Sequence, residues 1–68
     1  SYTDLLRAAA FENPQDSQIR RVLVEWLKHS SKILPRARSL PLLKEALGYA
    51  DRRNDREAIR KLLAELKE

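Results

Sequence analysis

The sequence has no cysteine and no methionine, one glycine, one histidine and three prolines in 68 positions. Without cysteine there is no disulfide scaffold, no thiol nucleophile and no cysteine-ligated zinc. That composition fits a reducing compartment, and a cytoplasmic protein is the expectation. A single histidine, His29, cannot build a multi-histidine metal cage. A single glycine, Gly48, cannot form a glycine-rich phosphate loop. No apolar run reaches the roughly 18–20 residues that cross a bilayer. No charged segment followed by an apolar block marks a secretory leader. The missing methionine suggests a processed product, a domain excised from a longer chain, or a designed protein.

What is present is leucine, alanine and charge. Twelve leucines and eight alanines dominate the apolar residues, against five Ile or Val and four aromatics. That mixture favours helices over strands. At 68 residues a single helical domain spanning 1–68 is expected. A chain of this size buries only about 60% of its unfolded surface, so its stability is modest.

Period and punctuation predict four helices. The first runs from about Thr3 to Glu12, capped by Ser1 or Thr3, with Leu5, Leu6, Ala9 and Ala10 on one face. Phe11 extends that face only in a closely packed helix. Asn13-Pro14-Gln15-Asp16 reads as a stop and a start: Asn13 as the cap, Pro14 at the first helical position, Asp16 reaching back to the cap. The second helix carries Ile19, Val22, Leu23, Trp26 and Leu27 at spacings of three and one, and Pro35 ends it at the latest. Trp26 is expected in the core.

Pro35 to Ser39 reads as a connector, with Ser39 capping a third helix and Pro41 in its first turn. Leu43, Ala46, Leu47 and Ala50 form its stripe. Gly48 lies inside it, where glycine costs about 1 kcal/mol relative to alanine, so a close helix crossing is expected there. Asn54 reads as a break or a cap, paired in spacing with Glu57. A fourth helix then presents Ile59, Leu62, Leu63 and Leu66. So short a break between the third and fourth helices requires an antiparallel hairpin. The predicted fold is all-α, a compact bundle of three to four short helices ending in that hairpin.

Leu42, Ala46, Leu47, Gly48, Tyr49, Ala58 and Leu62, within about 39–68, resemble a tetratricopeptide-type helical hairpin. Gly48 falls two positions late for that pattern, and Glu65 stands where a small apolar residue is usual. Within about 5–27, Leu5-Leu6, Pro14, Asp16, Arg20, Val22 and Glu25-Trp26-Leu27 resemble the bacterial repeat-companion domain. There Leu5-Leu6 stand one residue too far from Pro14, and Ser30-Ser31-Lys32 replaces a glycine-containing turn. Both resemblances imply helical packing units. Neither brings an activity or a functional residue to this chain.

Catalytic chemistry finds little material. His29 adjoins Ser30 and Ser31, but helical neighbours diverge by about 100°, which separates them. No nucleophile, base and electrophile can be named together, so the chain is expected not to be an enzyme. No cofactor, metal or small-molecule substrate is expected. Asp51, Asn54 and Asp55 are surrounded by Arg52, Arg53 and Arg56, which argues against a cation site.

The formal net charge is +4. Between Glu25 and Glu45 there is no acid, while Lys28, Lys32, Arg36, Arg38 and Lys44 supply five positive charges. Arg52, Arg56 and Arg60 repeat every four residues along one helix edge. The candidate binding residues are therefore Lys32, Arg36, Arg38, Arg52, Arg56 and Arg60. Three functional readings follow. The first is a helical protein–protein interaction module, for a protein partner or for self-association. The second is a small basic domain contacting DNA or RNA phosphates. The third is a designed bundle without a natural partner.

Overall fold

A computed structural model describes residues 1–67. Among them are four helices and no strand: α1 (Tyr2–Glu12), α2 (Ser17–Ile33), α3 (Arg36–Tyr49) and α4 (Arg53–Lys67). The all-α bundle of short helices read from the sequence is the fold. Consecutive helices pack on one another, α1 on α2, α2 on α3 and α3 on α4. None of the described helices is long and apolar enough to cross a membrane.

The helix starts differ from those the sequence suggests, and the reasons are local. Ser1 caps α1, its Oγ accepting from the Asp4 amide at 3.3 Å. Asp16, not Asn13, caps α2: its Oδ1 accepts from the amides of Gln18 at 3.0 Å and Ile19 at 3.1 Å. Asn13 instead closes α1, its side-chain amide donating to the Ala9 carbonyl at 2.8 Å. Pro14 thus sits in the turn between the helices rather than at a first helical position. An aspartate two and three residues before free amides satisfies two donors at once, which the asparagine further back cannot do.

Helix α3 begins four residues earlier than a Ser39 cap implies, at Arg36, directly after Pro35. Ser39 lies inside it, fully buried. Its hydroxyl faces the carbonyls of Ser31 at 2.7 Å, Leu34 at 3.0 Å and Pro35 at 3.1 Å. One hydroxyl thereby ties the end of α2 to the start of α3. Pro41 lies in the helix interior. It removes one backbone donor, and its exposed position leaves the freed carbonyl of the turn before it near water. Helix α4 starts at Arg53, so Asn54 neither breaks the chain nor caps it. Glu57 pairs with Arg53 at 3.2 Å rather than reaching back to Asn54.

Ala10, Leu23, Val24, Leu27, Leu43, Ala46, Ala50 and Ile59 form one buried cluster, drawing on all four helices. Leu6, Ile19, Leu42, Leu47, Tyr49, Leu62, Leu63 and Leu66 pack around it, half-buried. α3 and α4 form the expected antiparallel hairpin. Arg56 early in α4 meets Leu47 late in α3, while Leu62 and Leu66 late in α4 line a cavity with Leu43 and Leu34. Gly48 does not mark a close crossing. It is exposed, and a Cβ built there would have no neighbouring atom within 4 Å.

The molecule measures 36 × 28 × 13 Å between Cα extremes. Packed helix axes stand about 8–10 Å apart, so 13 Å accommodates two layers at most. Every helix therefore keeps one side on the surface.

Candidate docking groove on helices α1 and α2

The apolar residues of α2 spread over one arc of about 200°, from Val22 through Ile33, Trp26, Ile19, Leu23 and Leu27 to Val24, and the two sides of that arc have different surroundings. Leu23, Val24 and Leu27 are buried in the core. Val22, Trp26 and Ile33 lie elsewhere. At about 100° per residue they fall within roughly 40° of one another and about 130° from the centre of the buried face. Val22 is 45% exposed and Ile33 72%. A single-faced amphipathic helix would have carried polar residues there.

The N-terminal turn of α1 lies against this exposed side. Tyr2 packs edge-on against Trp26, ring centroids 4.7 Å apart and planes at 76°. The Trp26 indole Nε1 donates to Thr3 Oγ1 at 2.8 Å. His29 tilts toward the other side of the indole, centroids 6.4 Å apart. Trp26 is thus half-buried and stands outside the core cluster, contrary to the sequence expectation. A ring that needs a partner for its N–H is better placed at an edge, where a side chain can supply one.

Tyr2, Gln18, Arg21, Val22, Glu25, Trp26 and His29 enclose an open groove of about 550 Å³. Around α2 the lining runs from Arg21 through Glu25, Gln18 and His29 to Val22 and Trp26, with Tyr2 of α1 beyond Trp26. Leu5, 69% exposed, stands one turn after Tyr2 on α1. The opposite edge of α1 is held down elsewhere. Arg7 forks onto Glu45 of α3, Nε to Oε2 at 2.7 Å and Nη2 to Oε1 at 2.8 Å, which raises the guanidinium pKa above its ordinary value. Among the other apolar residues Phe11 is 86% exposed. It extends no packed face of α1.

The six basic residues proposed from the sequence do not gather in one place. Lys32 ends α2, and Arg36 and Arg38 open α3. Arg52 and Arg56 lie at the far end of α3, whose 14 residues span about 21 Å. Arg56 is turned inward, its Nη1 donating to the carbonyls of Leu47 and Ala50 at 2.9 Å each. It closes the C-terminus of α3 and does not join a row with Arg52 and Arg60. Arg60 is exposed midway along α4. Arg20 is also committed to the fold, bonding Asp51 at 3.0 Å and the Pro14 carbonyl.

Sequence reasoning passed over Tyr2, Arg21, Val22 and His29 as members of one groove. The signal was in α2: Val22 and Trp26 extend the apolar pattern beyond one face, and Ile33 repeats it seven residues after Trp26. Among the described residues no group of three or more His, Asp or Glu side chains converges as a metal site would. No family model, curated protein or solved structure matches the chain.

Proposed function

We propose that this chain is a non-enzymatic protein–protein interaction module, and that the groove between the start of α1 and the outer face of α2 is its docking surface. The observation that carries the reading is the exposed side of the apolar arc of α2. Val22, Trp26 and Ile33 bury little or incompletely in a domain short of buried area. Interfaces are enriched in tryptophan and tyrosine, and Trp26 and Tyr2 both line this groove beside Val22. The edge-on Tyr2–Trp26 pair is in place before any partner arrives, which lowers the ordering entropy of binding.

Phosphate contact by Lys32, Arg36, Arg38, Arg52, Arg56 and Arg60 is less well supported. It would draw on two groups about 20 Å apart, and Arg56 is already engaged by carbonyls. Generic attraction of a +4 domain to nucleic acid should vanish near 0.15 M salt.

Trp26 is the one tryptophan, so its emission reports on the groove directly. Helical peptides selected from an unbiased library on the immobilised chain should shift that emission, and the shift should disappear in Val22→Asp. Selected binders that leave Trp26 emission unchanged contradict the assignment. So does submicromolar binding to a random duplex at 0.15 M salt that collapses in an Arg36→Gln, Arg38→Gln double variant.

A further inference from the structure

The groove carries charge of both signs. Its lining holds one cation, Arg21, and one carboxylate, Glu25. Arg21 is exposed and enters no ion pair among the described residues. Glu25 accepts from Lys28 Nζ at 3.2 Å and is still largely exposed. A partner of one sign would therefore answer one of these charges and repel the other. The six α2 residues of the lining are also symmetric in position. Gln18 and His29, Arg21 and Trp26, and Val22 and Glu25 stand in pairs at equal distances on either side of a point between Leu23 and Val24. Viewed down the helix, Gln18 and His29 lie near the middle of this arc. Arg21 and Glu25 lie toward one edge, Val22 and Trp26 toward the other, beside Tyr2.

We infer that this face receives a second copy of the chain, its α2 laid antiparallel on the first about a two-fold axis that passes between Leu23 and Val24. The inference rests on the docking reading above and names the occupant. Such a contact is self-complementary: it reverses the helix and sets each edge of the face against the same edge of its copy. Arg21 then comes level with the second copy's Glu25, and Glu25 with the second copy's Arg21, each to within about 1.5 Å along the helix axis. On the other edge Val22 and Trp26 exchange in the same way, and Gln18 meets His29 between them. Every pairing is made twice, and Arg21 gains the acid that it lacks. Two features keep the association weak. The lining residues of α2 span about 16 Å of a single helix, a contact smaller than the roughly 800 Å² per partner of a standard interface. The two copies also carry the same net charge of +4. The dissociation constant is therefore expected at about 0.01–1 mM.

Sedimentation equilibrium of the chain alone, from about 10 µM to about 1 mM, tests this. The average mass should rise with concentration from 7.9 kDa toward twice that value. Val22→Asp should hold it at the monomer's mass throughout. Arg21→Glu should weaken the association about three- to tenfold, because two exposed pairings turn repulsive. Overall repulsion between the copies predicts the opposite, since exchanging one positive charge for one negative lowers the net charge from +4 to +2. Glu25→Arg should weaken the association as well. An equimolar mixture of Arg21→Glu and Glu25→Arg should associate more tightly than either variant alone, each supplying the charge that the other's edge lacks. Both positions are exposed, so the fold is kept. A chain that stays monomeric to about 1 mM overturns the second copy; the docking groove is then judged by the selected peptides alone. Dimers that survive Val22→Asp use another surface. Dimers that Arg21→Glu tightens, or a mixture no tighter than its parts, lack the antiparallel register. Each of these results makes the inference wrong.

Discussion

Trp26 is held by two unlike contacts, a hydrogen bond to Thr3 and the ring edge of Tyr2, and both come from the first turn of α1. Trp26→Phe keeps most of the apolar surface and loses the hydrogen bond. Its expected cost is about 1 kcal/mol, read from the denaturation midpoint. The same loss in Thr3→Ala should not add to it, because the two substitutions remove one interaction. At the other end of the same turn sequence, Asp16→Ala removes both capping acceptors of α2 and is expected to cost about 1 kcal/mol. Asn13→Ala should cost less, since its exposed side chain only reinforces a carbonyl that the backbone already serves. Two exposed carboxylates titrate below their ordinary value of 3.8: Asp51, through its hydrogen bond to Arg20, and Asp4, through Ser1 first and Arg7 next. A depressed folded-state pKa stabilises above the unfolded value, and the contribution fades as pH falls through the folded one. Arg20→Gln should therefore move the Asp51 titration upward toward 3.8, as carboxyl carbon shifts would record, while Asp4 stays in place.

The helices differ in how plainly their residues announce them. α2 and α4 were legible because each has a strong apolar stripe with helical spacing; Pro35 set the latest stop for α2, while a break at Ser30 and Ser31 stayed open until the fold showed the helix running to Ile33. α3 was legible in existence but not in its start. It lies between α2 and α4, so apolar residues surround much of it and no single face stands out. Pro41 then reads as a first-turn proline, although the helix carries it in its interior. Ser39 reads as a cap for the same reason. Its real work, joining three carbonyls at the α2–α3 turn, depends on tertiary contact that spacing does not encode. Ser39→Ala should leave those buried acceptors with one donor fewer and cost about 1–2 kcal/mol. Gly48 offers the opposite case. With no atom near its absent Cβ, Gly48→Ala should stabilise the chain by about 0.5–1 kcal/mol, visible as a raised Tm. A Tm lowered by that change would restore the close crossing that the sequence suggested.

At the scale of the whole molecule, a thin slab of four helices has more apolar surface than it can bury. The sequence showed the quantity of leucine but not which face would be left over, because that depends on α1 covering only one end of α2's outer stripe. The basic residues were equally visible in the sequence. Their division between opposite ends of α3, and the inward turn of Arg56, required the fold. The groove joins Tyr2 of α1 to residues between Gln18 and His29 of α2, and only the fold brings the two stretches together. On the reading proposed above, α2 works on both sides of its apolar arc, one building the core and one receiving a partner. Val22 and its neighbour Leu23 lie on the two sides, and Leu23 is fully buried. Leu23→Ala should cost about 2–5 kcal/mol as a cavity in the core. The most direct measurement is the affinity of Val22→Asp for a groove-binding peptide, on protein whose denaturation midpoint is compared with the parent's. The account expects a midpoint near the parent's and binding reduced by at least about tenfold, as for an interface anchor. A folded Val22→Asp that binds as well as the parent, or one that unfolds as Leu23→Ala does, contradicts it.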